Sequence, residues 1–427
     1  MILAPLRGVT IRAFREIFAA PIVNAGFREA ITPFIPAMSG VDPLKDPELK
    51  LKERSSLFPL KVTPQFIGKD PVALRTCLER VKATGYDTAD LNCGCPFPMV
   101  RNKGRGSGIL RTPEVLDKML AVGCEVMGAG CFSIKARLGV ERKDELMSLM
   151  PIINRYPLRY LTVHGRVAKA MYEGEVDREA MMKIVEVAKM PVVLNGDITL
   201  DERSTGAELM IGRAFIRSLG EREDIGYQLK RYIDYSRGEL FGDKPVLGRM
   251  KELIAYWKEL PEWRRRWQVI KLCRTITELE DIIDIRPVYS RVLVSLGSNI
   301  EPRMSYMERA KTMLEALPDT IFRSASSIVE TEPVDVPAEY ASMKFLNQVL
   351  VFESALDPFD FSRRMHAIED ELGRVRTVKN GPRTIDIDLL KFGDYSFNTP
   401  ELVLPHQRAL DRPFMRELLN PSRAVTS

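Results

Sequence analysis

The chain has 427 residues, of which 45% are hydrophobic and 28% are charged, values that are ordinary for globular proteins. A chain of this length is expected to form two or three domains rather than one core. No segment is apolar over the roughly 18 residues that a membrane helix needs, which excludes a membrane-spanning protein. The six cysteines follow no zinc-type spacing and the first residues show no secretory signal, so we expect a reduced, cytoplasmic protein.

Charge is distributed unevenly along the chain. Residues 1–290 carry 46 Lys and Arg against 38 Asp and Glu, whereas residues 291–427 carry 17 against 20. The basic excess of the first part is compatible with a polyanionic partner and also with an ordinary solvated surface. The sequence assigns no oligomeric state.

Short segments rich in Val, Ile and Leu alternate with helix-like stretches through the first half of the chain, and each ends in a turn with Gly, Asn or His. Alternating strands and helices predict a parallel sheet that is buried on both faces. The number of units predicts a TIM-type (β/α)8 barrel over residues 1–217, with its chemistry just past the C-terminal ends of the strands. The predicted strands are residues 62–67, 88–91, 133–136, 160–163, 192–194 and 209–211.

Residues 218–286 consist of long, charge-dotted amphipathic segments, which predict a helical domain with helices at 224–237 and 251–260. This region contains the run Trp263-Arg-Arg-Arg-Trp267, which suits an RNA phosphate backbone and equally suits a solvated helix face. Pro287 and a new apolar run from residue 292 indicate a domain boundary near residue 287.

The third predicted domain spans residues 291–427. Its pattern predicts a strand at 292–296, a helix at 306–317, strands at 323–330 and 345–353, a helix at 358–372 and a strand at 384–392. This order of strands and helices is ferredoxin-like. The whole chain is therefore predicted to be a multi-domain protein of the α/β and α+β classes.

Two acids in the last predicted strand, Asp386-Ile-Asp388, project from one face, about 7 Å apart. Such a pair could hold two magnesium ions over a polyphosphate, or could be the solubilising acids of an edge strand. The neighbouring runs Gly373-Arg-Val-Arg376, Gly381-Pro-Arg383 and Pro405-His406 to Phe414 add arginines, a histidine and an aromatic ring. Cations that face a metal site favour phosphoryl or pyrophosphoryl transfer, because stabilisation there is mostly electrostatic.

Six motifs in this region occur in the order and approximate spacing of the 6-hydroxymethyl-7,8-dihydropterin pyrophosphokinases. They are Leu296-Gly-Ser-Asn299, Glu330-Thr-Glu-Pro333, Phe345-Leu-Asn347, Gly-Arg-Val-Arg, Gly-Pro-Arg-Thr-Ile-Asp-Ile-Asp and the Pro-His to Arg-x-Phe box. The resemblance covers nearly all of residues 291–419. It implies a magnesium- and ATP-dependent enzyme of folate biosynthesis.

Carried over residue by residue, the resemblance implies that Asp386 and Asp388 bind two Mg²⁺ ions and act in catalysis together with Arg383. The residues implied to contact ATP are Glu369, Arg376, Arg383, His406 and Arg412. The pterin ring would lie between Phe345 and Phe414, although either ring could instead belong to the core. Its edge would be read by Asn347 and by the backbone of Thr331–Val334. His366 matches no motif and is predicted to be structural.

Cys95 follows an apolar run in Asp90-Leu-Asn92-Cys-Gly-Cys95-Pro, which places it on a turn at a strand end. A thiol there could be a nucleophile, an acid, a ligand or small buried filler, and filler is the better interpretation of the cysteine alone. Polar residues also follow the later predicted strands: Lys135, His164, Asn195, Asp197, Gly212 and Arg213. Such turns can hold a phosphate through backbone N–H groups and a guanidinium, or can be ordinary loops.

Together with Ala4-Pro5 and Pro64-Gln65-Phe-Ile-Gly68, these residues resemble the tRNA-dihydrouridine synthases, which are FMN-dependent barrels with a C-terminal helical domain. The resemblance covers about residues 1–285 and implies a tRNA substrate and NAD(P)H as reductant. It implies that FMN is bound by Gln65, Lys135, His164, Asn195, Asp197, Gly212 and Arg213. Cys95 would protonate C5 of uracil as a general acid, which needs a neutral thiol, and Asn92 would orient the base.

Three features depart from the family pattern. Leu6 replaces the usual methionine, and Arg7 is unexpected near a flavin. Residues 199–207, between Asp197 and Gly212, can form at most a short turn where a full helix normally fits.

The sequence is therefore compatible with three hypotheses for the function of the chain. The first is a bifunctional enzyme with both activities. The second is an active pterin pyrophosphokinase fused to a degenerate barrel that only binds RNA or acts as a scaffold. The third keeps the flavin but reduces a free pyrimidine.

Overall fold

A computed structural model describes residues 1–49, 58–202, 206–333, 340, 342–374 and 382–406. The chain divides into two compact units, the first made of Met1–Phe18 and Ala25–Asp284 and the second of Ala19–Asn24 and Ile285–Ser427. Among the helices in these described ranges, none combines the length and the apolar character that crossing a bilayer requires.

The described part of the first unit contains ten short strands in one all-parallel sheet. They are β1 (Ile2–Leu3), β2 (Glu29–Ile31), β3 (Ile35–Pro36), β4 (Lys61–Thr63), β5 (Gln65–Ile67), β6 (Ala89–Cys93), β7 (Phe132–Gly139), β8 (Leu161–Val167), β9 (Val192–Asn195) and β10 (Glu208–Ile211). The last strand, β10, pairs with β1, and β1 pairs with β2. β2 and β3 are successive segments that share one strand position, and so are β4 and β5. β2 pairs with β4 and β3 pairs with β5, so these two positions are neighbours and the ten strands close into a ring of eight positions. The predicted barrel is confirmed.

The strand predicted at residues 62–67 is divided in two at Pro64. Proline has no N–H to donate to a strand ladder, so pairing is interrupted there. β4 pairs with β2, and β5 pairs with β3 and β6. The prediction of one continuous strand was wrong in this detail.

Helices alternate with the barrel strands along the chain and then form an all-helical extension, and one short helix of this part of the sequence belongs to the second unit. In chain order they are α1 (Arg12–Ile17), α2 (Ala19–Asn24, in the second unit), α3 (Pro71–Ala83), α4 (Pro98–Arg101), α5 (Pro113–Met127), α6 (Glu145–Ile153), α7 (Arg178–Val187), α8 (Arg213–Leu219), α9 (Ile225–Glu239), α10 (Asp243–Ile254), α11 (Pro261–Ile270) and α12 (Ile276–Glu280). Proline occupies the first position of α3, α4, α5 and α11, where its missing N–H breaks no helix bond. The described residues between β9 and β10 form no helix, as their short spacing predicted.

The helical extension differs from its prediction at α10, which begins at Asp243 rather than near residue 251. Pro245 lies in the first turn of this helix, where it is tolerated, so it does not mark a break. Trp257 and Trp263 are both buried, with ring centroids 4.7 Å apart. Their indole N–H groups donate to the carbonyl oxygens of Ile216 and Gly220 at 2.6 and 2.8 Å. Trp263 therefore belongs to the core.

Two glycines of α9 give a matched pair for testing this packing. A β-carbon at Gly226 would overlap the backbone carbonyl oxygen of Asp284, whereas one at Gly238 would meet nothing within 4 Å. Ala favours helix by about 1 kcal/mol over Gly, but overpacking costs about 1–3 kcal/mol or more. We expect Gly226→Ala to lower the free energy of unfolding by about 2 kcal/mol and Gly238→Ala to raise it slightly.

Urea unfolding followed by tryptophan fluorescence reports on this region, because all three tryptophans lie between residues 257 and 267. Equal midpoints for the two variants would mean that the chain near Asp284 does not pack against α9 as described.

The described part of the second unit contains an antiparallel sheet in the order β12-β14-β11-β15. Its elements are β11 (Ser290–Ser298), α13 (Arg303–Glu315), β12 (Thr320–Ala325), β13 (Val329–Thr331), β14 (Phe345–Ser354), α14 (Pro358–Glu371), β15 (Asp386–Phe392) and the hairpin β16 (Phe397–Asn398) and β17 (Val403–Leu404). β11, the first strand of this unit along the chain, lies between β14 and β15, and helices follow β11 and β14. This is the predicted ferredoxin-like arrangement.

The strand predicted at residues 323–330 is also divided, into β12 and β13, and both pair with β14. Ser326 lies between them and forms two hydrogen bonds with Val349. Its backbone N–H donates to the Val349 carbonyl at 2.8 Å, and its side-chain Oγ accepts from the Val349 N–H at 3.0 Å. A side chain that replaces a backbone acceptor in this way interrupts the ladder. Continuity of the strand was therefore wrongly predicted.

The register of β15 places the two predicted metal ligands. Asp386 lies opposite Gly297 and Asp388 opposite Ser295 of β11, with buried Ile387 between them. Since side chains alternate along a strand, both carboxylates project from the same face. Further along, the register shifts at Leu390, so that Leu389 and Leu390 are both buried.

Candidate active sites

A cavity of about 750 Å³ lies at the C-terminal ends of the barrel strands. It is lined by most of the residues that the sequence predicted for the first site: Asn92, Cys95, Lys135, His164, Asn195, Asp197, Gly212 and Arg213. Parallel strands bring their C-terminal ends to one rim of a barrel, which is why residues so far apart in sequence meet here. This volume is in the range of sites for small molecules and cofactors.

The turn that carries Cys95 is fixed by buried amide side chains. The Asn92 Oδ1 accepts from the backbone N–H groups of Gly94 and Cys95 at 3.1 and 2.8 Å. The Asn92 Nδ2 donates to Gln65 Oε1 at 2.8 Å, and Gln65 Nε2 donates to Asp90 at 2.7 Å. Gln65 is fully buried behind Asn92. These contacts make Gln65 and Asn92 positioning residues for Cys95.

The Cys95 side chain is nearly buried, and burial raises the pKa of its thiol against the opposing effects of the Phe97 N–H, Arg137 and Arg7. Its thiol is therefore neutral at neutral pH. Gly106 lies at φ +56°, and a β-carbon there would come within 2.7 Å of the Cys95 β-carbon. Only glycine leaves room for the cysteine at this point.

Lys135 and Asn195 form a hydrogen-bonded pair at the centre of the cavity. Lys135 Nζ donates to Asn195 Oδ1 at 2.8 Å, and Asn195 Nδ2 donates to the Met210 carbonyl at 2.8 Å. Burial lowers the pKa of Lys135 to about 7, and repulsion from Arg137 acts in the same direction. The ammonium is thus poised near its midpoint at neutral pH, as is typical of functional lysines.

His164 is 7% exposed, and its Nδ1 has no hydrogen-bond partner among the described residues. Burial holds the pKa of His164 well below its usual range, and the surrounding cations Lys135, Arg137, Arg166 and Arg213 lower it further. The imidazole is therefore neutral. A buried ring nitrogen without a partner is uncommon and indicates a position where a ligand supplies the missing hydrogen bond.

Asp197, at φ +45°, forms ion pairs with both Arg166 and Arg213. The hydrogen bond from Arg166 lowers the pKa of Asp197 despite its partial burial. Gly212, the next predicted residue, is the N-cap of α8, and a β-carbon there would lie 3.1 Å from that of Ala4. The structure thus brings the predicted Asp197, Gly212 and Arg213 together, with Arg166 added.

Sequence reasoning missed Arg137 and Tyr172 as members of this site. Arg137 is 3% exposed, and it donates to the carbonyl oxygens of Gly94 and Met171 at 3.0 and 2.6 Å. The Tyr172 ring lies 5.4 Å from the Arg137 guanidinium and 5.1 Å from that of Arg213. The position of Arg137, two residues after Lys135 on β7, was the available signal, because alternate residues of a strand share a face.

The second candidate site is centred on Asp386. Its Oδ1 pairs with Arg374 Nη2 at 2.5 Å, and its Oδ2 pairs with Arg383. The Arg383 backbone N–H donates to Asn299 Oδ1 at 2.7 Å, and its guanidinium lies 5.9 Å from the Phe345 ring centroid. Arg374 is therefore part of the site, although no role was predicted for it from the sequence. The Gly-Arg-Val-Arg motif was the signal that could have identified it.

Glu369 is 1% exposed, and both of its carboxylate oxygens are occupied by protein groups. Its Oε1 accepts from the Ile387 N–H at 2.7 Å and pairs with Arg374, while its Oε2 accepts from His366 Nδ1 at 2.9 Å. The predicted contact of Glu369 with ATP does not fit this burial. Glu369 instead joins α14 to β15 and holds Arg374 against Asp386, and His366 has the structural role predicted for it.

Replacing Glu369 with glutamine should destabilise the second unit by about 2 kcal/mol, because it leaves Arg374 with a weaker partner in a buried position. Burial raises the pKa of Glu369, but hydrogen bonds from His366 and Arg374 outweigh it, so the net pKa is lowered. Because the pKa of Glu369 is lower in the folded than in the unfolded protein, ionised Glu369 stabilises the fold at pH values above its unfolded pKa of about 4.3. This stabilisation is lost as the pH falls through the folded pKa.

Hydrogen exchange of peptides from β15 measures this effect locally, since a two-unit chain need not unfold in one step. We expect faster exchange in Glu369→Gln than in the parent, and unchanged exchange in Glu371→Gln, an exposed acid of the same helix. Equal exchange in both variants would contradict the role given to Glu369.

The remaining predicted residues of the second site are placed as follows. Asn347 is 5% exposed and donates through Nδ2 to Thr331 Oγ1 at 2.8 Å. The backbone N–H of His406 donates to the Leu390 carbonyl at 2.9 Å. The predicted Arg376, Arg412 and Phe414 lie outside the described residues. Within the described ranges no group of three or more His, Cys, Asp or Glu side chains is arranged to hold a metal ion.

Comparison with known proteins assigns both parts of the chain. Residues 2–216 match the model of the family described as dihydrouridine synthase (Dus), and residues 293–422 match that of 7,8-dihydro-6-hydroxymethylpterin-pyrophosphokinase (HPPK).

Two relatives agree with these matches, one for each part of the chain. The chain is 31% identical over 278 residues to a probable tRNA-dihydrouridine synthase of Helicobacter pylori strain J99, covering 60% of this chain and 83% of that protein. It is 37% identical over 122 residues to the 2-amino-4-hydroxy-6-hydroxymethyldihydropteridine pyrophosphokinase of Bacillus subtilis strain 168, covering 29% and 71%. The solved structure of morphinone reductase aligns with 51% of this chain and 82% of its own, at 13% identity and a TM-score of 0.38.

Both resemblances are thereby confirmed, and the chain belongs to the dihydrouridine synthase family over its barrel and to the pterin pyrophosphokinase family over its C-terminal part, which makes it a fusion of an oxidoreductase and a pyrophosphokinase.

Proposed function

We propose that the chain is a bifunctional enzyme. Its barrel (1–217) and helical domain (218–286) reduce uridine to 5,6-dihydrouridine in tRNA, using FMN and NAD(P)H. Its third domain (291–427) transfers pyrophosphate from ATP to 6-hydroxymethyl-7,8-dihydropterin in folate biosynthesis. The observation that carries the first activity is a neutral Cys95 thiol in the same cavity as Lys135 and an imidazole that lacks a partner.

The cavity residues fit FMN. His164 Nδ1 is a buried polar atom that lacks a protein partner within the described residues, and the surrounding cations suit an anionic cofactor. We assign FMN binding to Lys135, His164 and Asn195, with Gly212 and Arg213 towards its phosphate. When bound, FMN supplies the hydride for the reduction.

Cys95 holds the proton that the other carbon of the reduced bond requires. Transfer of the thiol proton to C5 leaves a thiolate, which Arg137 and Arg7 stabilise because both favour the charged form. Asn92 and Gln65 fix the turn so that the thiol stays in the cavity. Since the reacting bond of a base is inaccessible inside folded RNA, the target uridine must be extruded to reach this thiol.

The second site fits magnesium and a triphosphate. Mg²⁺ typically takes one or two carboxylates and completes its coordination with phosphate oxygens and water, which matches Asp386 and Asp388 on one face of β15. When bound, the metal ions neutralise charge on the triphosphate. Arg374 and Arg383, which already contact Asp386, can bind phosphate oxygens as the hydroxyl of the pterin alcohol attacks the β-phosphorus and AMP leaves.

The pterin is assigned to the region around Phe345, beside the Arg383 guanidinium. An aromatic ring grips a flat heterocycle by stacking. Asn347 and Thr331 are hydrogen-bonded to each other and present amide and hydroxyl groups that can read the edge of the ring.

The decisive experiment scores dihydrouridine by mass spectrometry in tRNA from cells with and without the gene. Loss of dihydrouridine on deletion, together with FMN release from the purified chain and pyrophosphorylation of the pterin alcohol, supports both activities. A colourless protein that retains only the pyrophosphokinase activity would instead support the hypothesis of a degenerate barrel. Reduction of free uracil but not of tRNA would favour the third hypothesis.

A further inference from the structure

The mouth of the barrel cavity carries apolar side chains that the proposed chemistry does not use. Phe97 is 41% exposed and Met99 is 72% exposed, and both line the same cavity as Cys95. They are attached to the catalytic turn, because α4 begins at Pro98, directly after Phe97. Large apolar side chains exposed together beside a polar site usually mark a binding surface.

Arg7 lines the same cavity. Its guanidinium lies 5.5 Å from the centroid of the Phe34 ring, which also lines the cavity. It makes no hydrogen bond or ion pair with another residue in the described part of the chain. An arginine that lies on an aromatic face and has no hydrogen-bond partner among the described residues is suited to a phosphate or to the face of a base.

We propose that Arg7, Phe34, Phe97 and Met99 form a platform, here called the mouth platform, that binds the unpaired nucleotides flanking the extruded uridine. This inference rests on the proposed reduction of uridine in tRNA. Extruding one base exposes the faces of its neighbours, which then need a new stacking surface near the cavity entrance. Phe97 and Met99 supply that surface, and Arg7 pairs with an adjacent phosphate.

The positive charge of the chain around the platform favours RNA over a protein as its partner. The polypeptide that continues from Phe97 through α4 carries the cations Arg101, Lys103 and Arg105, and residues 1–290 are basic overall. Single-stranded nucleic acids are typically bound by exposed apolar or aromatic side chains interleaved with cations in this way. The platform needs no base-specific contact, because every base has a face that can stack.

The test uses the full chain loaded with FMN and an unmodified tRNA transcript as the probe. Dissociation constants are measured by fluorescence anisotropy at several salt concentrations for Phe97→Ala, Met99→Ala and Arg7→Ala. Val72→Ala, an apolar side chain 73% exposed on α3, and Arg142→Ala, an exposed arginine, serve as matched controls. Flavin content and circular dichroism establish that each variant is folded.

We expect Phe97→Ala and Met99→Ala each to weaken tRNA binding about tenfold without changing its salt dependence, since stacking releases no counterions. Arg7→Ala should weaken binding and reduce the slope of log K against log salt by about 1. Both controls should bind like the parent.

Parental affinity in all three platform variants would overturn the inference, whether or not the parent makes dihydrouridine. The proposed function is judged separately, by product formation in the parent chain. A parent that binds tRNA through the platform but forms no dihydrouridine would support the platform and sink the proposed chemistry.

Discussion

Replacing Cys95 with alanine is expected to lower the rate of dihydrouridine formation by about three orders of magnitude, the range that a positioned general acid contributes. The residue is nearly buried, lines the cavity and is held by hydrogen bonds to its backbone N–H and carbonyl. Flavin reduction by NAD(P)H, measured without tRNA, should continue, because it needs no proton from the thiol. Pyrophosphokinase activity in the same preparation reports that the chain is intact.

Cys93→Ala is the matched control. Cys93 is fully buried on the same strand end, two residues before Cys95, and is absent from the cavity lining. Its replacement removes a similar volume and should leave the reduction within a fewfold of the parent. Equal loss in both variants would mean that the turn tolerates no change, and a fully active Cys95→Ala would contradict the acid role.

The pH dependence gives a second measure of the same residue. Burial raises the pKa of the Cys95 thiol above its ordinary value of about 8.5, so the acid stays protonated through that pH and is lost only as pH rises through the raised value. The rate of protonation by Cys95 should therefore not decline between pH 7 and about 8.5. A decline in this interval that disappears in Cys95→Ser would show that the thiol ionises earlier than its environment implies.

The sequence located the first site because the barrel itself was predictable. Lys135 lies near the end of a predicted strand, and His164 and Asn195 directly follow predicted strands. Parallel strands carry such residues to one rim. Gln65 begins β5, in the middle of the predicted strand 62–67, and it lies behind Asn92 and outside the cavity lining. Whether a polar side chain faces the cavity or the layer beneath it depends on packing depth, which strand periodicity does not encode.

Pairing between charged groups was less predictable than position. The motifs around Arg374, Glu369 and Asp386 indicated phosphate chemistry, but not that Glu369 would be buried and bonded to Arg374. Helical periodicity assigns a residue to a face, and only the packing of α14 against β15 decides that the face is covered. Trp263 shows the same limit, since its place in an arginine run suggested a surface and its ring lies in the core.

Asp386→Asn is expected to lower pyrophosphoryl transfer by at least about two orders of magnitude, the effect of removing a principal electrostatic group from such a site. The change removes one of the two carboxylates proposed to bind Mg²⁺ and leaves Arg374 and Arg383 without the charge they now share. Raising the Mg²⁺ concentration should restore part of the activity if the lost function is metal binding. Dihydrouridine formation is the internal control and should be unchanged.

Asp394→Asn offers the matched comparison, because Asp394 is an exposed acid in the turn that follows β15. It should retain parental activity at every Mg²⁺ concentration. If Asp386→Asn loses activity that Mg²⁺ does not restore, the Asp386 carboxylate acts mainly by orienting Arg374 and Arg383. The arginines would then contribute more to catalysis than the metal bound at Asp386. Parental activity in Asp386→Asn would exclude both roles, since the asparagine neither pairs with two guanidinium groups nor supplies an anionic ligand.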